Sequence, residues 1–416
     1  MTIQELVTYA KKFSPFYRNL YKNVDVYDNL SIEDIPLVDQ DEFWRANGLT
    51  ENYLLTGSVN NGIVFKSGGT TGAPKFSVFT KQEWHDFTKS FAHGMELGGL
   101  RNGDRVANLF YAGEMYASFL FIYNSLELAD IRALQFPLAG NSKPYDVLKT
   151  VRDFQINTLA GVPTSLIHIA HEYEMNSQHL DNLPITRILY GGEALYVDQL
   201  QYLQRIFPHA RIASIGYASV DGGLLGYADE SCRLGEHRCF GDDTILEIID
   251  EATGKPISEP HIPGKIYITN LKRKLMPIIR YPAGDRACWS DANITQKDRK
   301  FTLLGRAEEA ARIGPVTMYY EDTLQILSEF QLSRFQMLIR HRDLKDELVL
   351  RIAPHTSLET KPDLLTAFYK ARPMFVDAVR KDVIHPLVIE WVNEDELTIN
   401  TRTGKLKRVI DERHTN

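Results

Sequence analysis

The chain has few cysteines, no excess of basic residues and no long apolar run, and each shortage excludes a class of protein. Only three of its 416 residues are cysteine, which excludes a disulfide framework and favours a reducing compartment. The net charge of −7 argues against nucleic acid or an anionic membrane as a partner, because both attract a basic excess. No run reaches the roughly 18 apolar residues of a membrane-spanning helix, and the amino-terminal MTIQELVTYAKKF predicts an amphipathic helix rather than a signal peptide. We therefore expect a cytoplasmic globular protein.

The pattern of strands and helices changes along the chain. Up to about residue 222, buried strands alternate with helical segments, which predicts a mostly parallel α/β sheet. From about 223 to 305, short β segments with turns between them predict a β-rich subdomain. The rest is small α+β, with a helix at YYEDTLQILSEF and a hairpin at FQMLIRHRDLKDELVLRIAP. We expect an α/β protein with mixed and parallel sheets in a large domain, 1–305, and a small domain, 306–416.

The stretch SGGTTGAPK, from Ser67 to Lys75, is the densest run of glycine and hydroxylated residues. Apolar runs on both sides predict a strand, a loop and a second strand. Gly68, Gly69 and Gly72 would let the backbone approach a phosphate, while Thr70, Thr71, Ser67 and Lys75 would add hydroxyl donors and charge. The sequence after Lys75 and the glycine spacing exclude a Walker A loop. Taken alone, the run is also compatible with a surface turn.

Five further motifs follow this loop in order. They are YGGEAL (190–195), GYASVDGG (216–223), RYPAGDRA (280–287), LGRAEEAARIG (304–314) and RTGKLKRVID (402–411). With the loop, they resemble the ordered motifs of the adenylate-forming superfamily, which includes acyl-CoA ligases, adenylation domains and luciferases. SPFYRNL, TNLKRKLMPIIRYPAGD and GKLKRVIDER most resemble phenylacetate-CoA ligases, and the resemblance covers nearly the whole chain.

The resemblance implies a two-step reaction. A carboxylate attacks the α-phosphate of ATP to give an acyl adenylate and pyrophosphate, and a thiol then displaces AMP. The first step needs the phosphate charge to be neutralised by backbone N–H groups, Mg²⁺ and a lysine. ATP, Mg²⁺ and CoA are therefore the expected reaction partners, and the small carboxyl-terminal domain is expected to be mobile and to swivel.

The resemblance also assigns nucleotide-binding roles. Asp285 would hold the ribose, since one carboxylate can accept two O–H donors, with a plain turn residue as the alternative. Tyr217 would border the adenine and the acyl pocket, unless it is an ordinary core tyrosine. Arg306 would contact the ribose or the phosphates, with a surface salt bridge as the alternative. The turn against the adenine contains Gly191, Gly192 and Glu193.

The remaining implied roles belong to the metal, the catalytic lysine and the hinge. Asp221 stands where the family has a Mg²⁺-binding glutamate, which shortens the reach by one methylene. Lys405 would bridge the carboxylate and the α-phosphate, although it also lies in a locally basic tail. Glu308 stands at the hinge position, and rotation there would bring Gly314 toward a thiol channel.

The acyl pocket is expected near the strand ends of the α/β sheet. Aromatic walls there would form a flat slot that suits an aryl acid, although ordinary core packing explains any single aromatic residue equally well. The candidates are Tyr111, Tyr116, Phe136, Gly161, Pro163, Tyr190 and Gly216.

Three cysteines and a histidine are a second metal candidate. Cys232, His237, Cys239 and Cys288 supply the four N/S ligands of a structural zinc site. They contain no C-x-x-C pair, so reduced, part-buried cysteines are the simpler interpretation and zinc is the less favoured one.

Three functions remain open from the sequence. The first is an aryl-CoA ligase, and the second transfers the acyl group to a carrier-protein or enzyme thiol in secondary metabolism such as phenazine biosynthesis. The third is an acid- or nucleotide-binding relative with impaired catalysis. Asp221 in place of glutamate, Pro282 and the sequence IGPV after the hinge make the second a serious rival to the first. A homodimer is also possible.

Replacement of Lys405 tests the assigned chemistry. Lys405→Ala should abolish pyrophosphate release in the presence of ATP, Mg²⁺ and an acid substrate, because the cation at the reacting α-phosphate is lost. Circular dichroism should show an unchanged fold. Full activity of the variant would contradict the assignment.

Overall fold

The computed structural model describes residues 1–27, 30–48, 50–67, 75–176, 183–293, 296–306, 310–330, 332, 334–353, 363–399 and 406–413, apart from the side chains at 67, 306, 310 and 321. They separate into two compact units, and the chain passes from one to the other between Leu304 and Gly305. None of the helices in these ranges is long and apolar enough to cross a membrane.

The first unit begins with short helices and a hairpin. The elements are α1 (Ile3–Phe13), α2 (Pro15–Leu20), a 3₁₀ helix (Ile32–Asp34), α3 (Gln40–Arg45), β1 (Ile63–Ser67), β2 (Lys75–Phe79) and α4 (Lys81–Leu97). A capping box starts α4, in which Thr80 and Glu83 each accept a hydrogen bond from the other's backbone N–H. β1 and β2 pair antiparallel and place Ser67 opposite Lys75. The predicted strands on either side of the glycine loop are thus confirmed.

A five-stranded sheet follows. Its elements alternate as β3 (Arg105–Leu109), α5 (Ser118–Leu128), β4 (Leu134–Pro137), α6 (Pro144–Asp153), β5 (Thr158–Gly161), α7 (Pro163–Met175), β6 (Arg187–Tyr190), α8 (Val197–Ile206) and β7 (Arg211–Ser214). The strand order is β4-β3-β5-β6-β7, and all neighbours are parallel. The parallel α/β sheet predicted from the alternating pattern is confirmed. The strand order reverses between β3 and β5, and ligands of such sheets bind beyond the carboxyl ends of the strands at such a point.

Residues 217–306 form a seven-stranded sheet. Its strands are β8 (Tyr217–Ser219), β9 (Gly223–Tyr227), β10 (Glu236–Cys239), β11 (Thr244–Ile249), β12 (Gly264–Asn270), β13 (Tyr281–Trp289) and β14 (Lys300–Arg306). The order is β11-β12-β13-β14-β10-β9-β8. Short strands joined by turns can pair in this way because antiparallel neighbours need no helical crossover.

The first helices of the chain pack into the core that contains this second sheet. Leu6, Tyr17 and Phe43 are fully buried and belong to one apolar cluster with Ile266 and Met276. The Tyr17 hydroxyl donates to the Pro277 carbonyl at 2.8 Å and accepts from the Ile279 N–H at 3.3 Å. The SPFYRNL segment therefore anchors the chain that enters β13.

The second unit is a small α+β structure. It contains β15 (Ala310–Ile313), β16 (Val316–Tyr319), α9 (Tyr320–Ser328), β17 (Phe335–Arg342), β18 (Lys345–Ile352), α10 (Leu364–Ala371), α11 (Pro373–Arg380), β19 (Val388–Trp391), a 3₁₀ helix (Glu394–Glu396) and β20 (Val409–Asp411). β19, β18, β17 and β20 form one sheet in that order. The predicted helix is α9, and the predicted hairpin is the antiparallel pair β17 and β18. This unit has an apolar core of its own.

Removal of the Tyr17 hydroxyl tests this anchor. Tyr17→Phe should lower the free energy of unfolding by about 1–3 kcal/mol, because a buried carbonyl and a buried N–H lose their partner. The denaturant midpoint would report it. Tyr53→Phe is the matched control, because Tyr53 is 48% exposed and its hydroxyl donates only to the exposed Glu51. Equal midpoints for the two variants would contradict the anchor.

Candidate active site

Several of the predicted site residues lie at one edge of the parallel sheet. Gly161 is the last residue of β5, and Tyr190 is the last residue of β6. Tyr111 follows β3 by two residues, and Gly216 follows β7 by two residues. Since parallel strands end at the same edge, the topology brings these four positions together where a ligand of this fold class is expected.

The turn after β6 is built from glycines for steric reasons. Gly192 has a φ of +78°, which favours glycine, and a Cβ on Gly191 would lie 2.6 Å from the side chain of Ile215. Glu193 accepts hydrogen bonds from the N–H of Thr164, at 3.2 Å, and from its hydroxyl. The motif thus joins the end of β6 to the first turn of α7.

The turn after β7 brings two distant motifs into contact. Gly216 has a φ of +130°, and a Cβ there would approach the ring of Phe91 to 2.7 Å. The next residue, Tyr217, donates its hydroxyl hydrogen to Asp285 Oδ2 at 2.5 Å. An aromatic ring and a carboxylate from different motifs are therefore adjacent at this edge.

A buried histidine, His237, packs against the ring of Tyr217. The ring centroid of His237 lies 5.9 Å from that of Tyr217, and the ring also stacks on Phe301. Its Nε2 atom lies 2.9 Å from Ser214 Oγ, which in turn accepts from the Gly216 N–H at 3.2 Å. Burial lowers the pKa of His237 to about 4. A neutral imidazole thus holds the turn, a role that the sequence did not indicate.

The four zinc candidates do not form a ligand cluster in the structure. Among the residues that the structure describes, no three His, Cys, Asp or Glu side chains lie close enough together to hold a metal ion, and Cys232, His237, Cys239 and Cys288 are all within that set. His237 uses its Nε2 atom for Ser214, and burial raises the pKa of the Cys232 thiol to about 11. Cys239 and Cys288 are free and buried. Cys239 lies in β10 and Cys288 in β13, so both are strand residues of the second sheet.

Most of the proposed acyl-pocket residues lie near the same edge. The rings of Tyr111 and Tyr116 meet edge to face with centroids 5.8 Å apart, and both side chains are about two-fifths exposed. Pro163 is buried at the start of α7. Burial raises the pKa of Tyr190 to about 12, so its hydroxyl stays protonated.

Phe136 is placed differently from the other pocket candidates. Its ring packs against Phe154, with ring centroids 5.6 Å apart. The guanidinium carbon of Arg105 lies 5.2 Å from the centroid of the Phe136 ring. Arg105 begins β3, and Phe154 follows α6 on the way to β5. The structure therefore does not bring this ring to the carboxyl edge, because the face of β4 that it occupies is covered by residues from the other end of the strands.

The ends of the glycine loop are defined, and several other predicted residues lie outside the described part of the chain. The ammonium of Lys75 lies 5.3 Å from the ring centroid of Trp44. The residues outside the described ranges are Gly68, Gly69, Thr70, Thr71, Gly72, Glu308 and Lys405, and the side chains of Ser67 and Arg306 also lie outside them. Their roles stay predictions.

Asp221 offers one oriented carboxylate as a magnesium ligand. Its Oδ1 atom accepts a hydrogen bond from the Ser77 hydroxyl at 3.2 Å, which links it to β2. The described residues contain no cage of three or more such ligands. Mg²⁺ is commonly held by one or two carboxylates together with substrate phosphates and waters, so a single oriented carboxylate suits it.

Sequence reasoning missed Arg273, which lies beneath Asp221. Its guanidinium donates to the carbonyl oxygens of Val78, at 2.9 Å, and Asp221, at 2.5 Å, and lies 4.1 Å from the ring centroid of Phe79. Burial lowers its pKa to about 10, while the charges of Glu83 and Asp221 oppose the shift. In the sequence it is only one of three basic residues in TNLKRKLMP, so no spacing marked it.

Comparison with known proteins gives concordant matches. The family described as AMP-binding enzyme matches residues 63–272, about half of the chain. A phenylacetate-coenzyme A ligase of Thermus thermophilus is 23% identical over 365 residues, which cover 84% of this chain and 79% of the relative. An indoleacetate–lysine synthetase of Pseudomonas savastanoi is 22% identical over an alignment that covers 100% of both chains.

A solved structure shares the fold. A 2-hydroxyisobutyryl-CoA ligase, in complex with its acyl-AMP and CoA in the thioesterification state, matches with a TM-score of 0.75 at 19% identity, over 99% of this chain and 88% of that one. At this identity the similarity shows the fold alone. It confirms the predicted α/β class.

The buried histidine predicts a dependence of stability on pH. Because His237 resists protonation until about pH 4 in the folded chain, the unfolded state binds more protons from about pH 6.5 downward. Stability should therefore fall as the pH is lowered through this window, by about 3 kcal/mol at most from this group. Denaturant midpoints measured from pH 7 to pH 4 would show it. His237→Gln keeps a hydrogen-bonding group and should flatten the profile, whereas an unchanged slope would contradict the assignment.

Proposed function

The chain belongs to the family of AMP-binding enzymes, and from this premise we propose that it activates a carboxylic acid with ATP as an acyl adenylate and transfers the acyl group to the thiol of CoA. The predicted resemblance to the adenylate-forming superfamily is confirmed by the family match and by the ligase relatives. Relatives named phenylacetate-coenzyme A ligase support an acid–thiol ligase, and the family of AMP-binding enzymes supports an acyl-AMP intermediate.

The hydrogen bond from Tyr217 to Asp285 is the observation that supports this proposal most directly. It connects residues 68 positions apart at the sheet edge where the glycine turns lie. An aromatic ring can border a nucleobase, and a carboxylate beside it can accept the two hydroxyls of a ribose. The pair therefore has the chemistry that recognition of a nucleoside requires.

The remaining roles follow from this placement. The loop 67–75 would hold the phosphates through backbone N–H groups and Lys75, and Asp221 would hold Mg²⁺, which supplies charge neutralisation when bound. Lys405 would contact the reacting carboxylate and the α-phosphate, and Arg306 would contact the ribose or the phosphates. Rotation of domain 306–416 relative to domain 1–305 near Glu308 would switch the enzyme from the first half-reaction to the second.

An aromatic acid is the proposed substrate class. The edge-to-face pair of Tyr111 and Tyr116 offers partly exposed ring surface, and flat apolar walls favour a flat acid. The names of the relatives point the same way, since one acts on phenylacetate and another on indoleacetate. Tyr190, Gly161 and Pro163 would complete the walls.

An amine acceptor is the second candidate for the transfer step. The relative that aligns over the whole of both chains is a synthetase that joins indoleacetate to lysine, so an adenylate passed to an amino group is chemically consistent with the same first step. Transfer to a carrier-protein thiol and loss of catalysis are less favoured, because the names of these relatives point to coenzyme A or lysine as the acceptor.

A pyrophosphate-release assay tests the first step. With ATP and Mg²⁺, we expect release only with a member of a panel of benzoates, phenylacetates, indoleacetate and phenazine carboxylates. Asp285→Ala should raise the KM for ATP about 10- to 100-fold, because hydrogen bonds to a charged group are lost. Absence of pyrophosphate with every acid would favour the impaired relative.

The acceptor is tested by product analysis. CoA, a phosphopantetheinylated carrier protein and lysine would be added separately to the adenylate-forming mixture. We expect AMP release with a CoA thioester detected by mass spectrometry. An amide with lysine and no thioester would instead establish the second candidate.

A further inference from the structure

Arg273 is a buried cation that is compensated by main-chain groups rather than by an ion pair. Only 2% of its surface is exposed, and none of the described carboxylates lies within ion-pair distance of it. A buried charge is costly unless hydrogen bonds compensate it. Here the direct contacts are the main-chain carbonyls of Val78 and Asp221 and the ring of Phe79, and the charges of Glu83 and Asp221 act from a greater distance.

The two carbonyls belong to segments that the proposed function uses. Val78 lies in β2, the strand that leaves the glycine loop, and Asp221 is the proposed magnesium ligand. A planar guanidinium can reach two acceptors at once from a fixed position. Arg273 therefore ties the main chain at Asp221 to the strand that continues from the phosphate loop.

Glu83 fixes the segment that carries Arg273. Its carboxylate accepts from the N–H groups of Lys274, at 2.6 Å, and Leu275, at 2.8 Å, and from the N–H of Thr80 at 2.8 Å. Thr80 is the residue between β2 and α4. Glu83 thus holds the backbone that follows Arg273 close to the connection between β2 and α4. Val78, which accepts a hydrogen bond from Arg273, lies in β2 just before this connection.

The side chain of Asp221 is oriented from the same strand. Ser77, which is fully buried, donates to its Oδ1 atom at 3.2 Å. Arg273 fixes the backbone of Asp221 while Ser77 aims its carboxylate, and both link it to β2.

We propose that Arg273 is a positioning residue that sets the separation between the Asp221 carboxylate and the antiparallel pair β1 and β2, the glycine-loop hairpin. This separation determines the affinity of the site for the divalent cation that binds with ATP. This inference rests on the proposed function. A lysine at this position has a single nitrogen on a flexible stem and cannot hold both carbonyls in one geometry.

The test compares two arginine-to-lysine variants. Arg299 is the control, because it is 6% exposed, its guanidinium lies 4.3 Å from the ring centroid of Trp289, and it donates to the carbonyls of Ser258 and Asp291. Unlike Arg273, it also pairs with the carboxylate of Asp291 at 3.2 Å. None of its hydrogen bonds or ion pairs goes to a described residue that is proposed to bind the nucleotide, Mg²⁺ or the acid. Both variants should lower the denaturation midpoint, but only Arg273→Lys should change cation binding.

Cation binding is measured without turnover. Mn²⁺ is titrated into protein saturated with a non-hydrolysable ATP analogue, and free Mn²⁺ is read from its electron paramagnetic resonance signal. Arg273→Lys should raise the Kd for Mn²⁺ about tenfold, and in the pyrophosphate assay it should raise the Mg²⁺ requirement without a matching change in the KM for the acid. Arg299→Lys should leave both at the wild-type values.

A second variant covers the case in which Arg273→Lys does not fold. Ser77→Ala removes only the hydroxyl that aims Asp221 and should raise the Kd for Mn²⁺ about threefold. If Arg273→Lys folds and binds Mn²⁺ as the wild type does, the inference is overturned. If Arg273→Lys does not fold, wild-type Mn²⁺ binding by Ser77→Ala overturns it. Either result would leave the proposed function intact. Failure of the wild-type protein to bind Mn²⁺ with the analogue or to release pyrophosphate would overturn both.

Discussion

Buried charges whose partners lie in distant segments of the chain are the constraint on which the first unit depends. Each buried ionic group must find hydrogen-bond partners, because desolvation is otherwise too costly. Arg280 meets this need through Glu247, at 2.8 and 2.9 Å, and through the carbonyl of Ile35. Arg273 and Glu83 meet it through carbonyls and N–H groups of other segments. These contacts connect the amino-terminal segments, the glycine-loop hairpin and the second sheet.

The candidate site lies where these connected parts come together. The parallel sheet contributes glycine turns at its carboxyl edge, and the antiparallel sheet contributes Tyr217 and Asp285. The proposed recognition of a nucleoside uses a turn that permits close approach and a carboxylate beside an aromatic ring, and these come from different sheets. The histidine beneath Tyr217 belongs to the same arrangement, because it is neutral when buried and can stabilise the turn without adding charge near a nucleotide.

Sequence reasoning succeeded where a local pattern carries the information. The strands around the glycine loop, the parallel sheet and the family resemblance depend on residues close together in the chain, and the structure or the family match over residues 63–272 confirms them. Spacing alone could not show that His237 bonds to Ser214, so the zinc alternative stayed open from the sequence. Sequence reasoning placed Phe136 with the pocket because residue type does not indicate which end of a strand its ring covers. The role of Arg273 could not be predicted from the sequence, because a main-chain carbonyl can accept a hydrogen bond whatever side chain its residue carries.

The amino-acid sequence by itself determined the class of fold, the family and the order of the motifs, because hydrophobic periodicity and glycine placement act over a few residues. Only the tertiary structure decided which motifs meet, which histidine packs against Tyr217 and which buried arginine holds the main chain at Asp221. Those contacts join residues up to 195 positions apart, and they arise when whole sheets and helices pack and every buried polar group must find a partner.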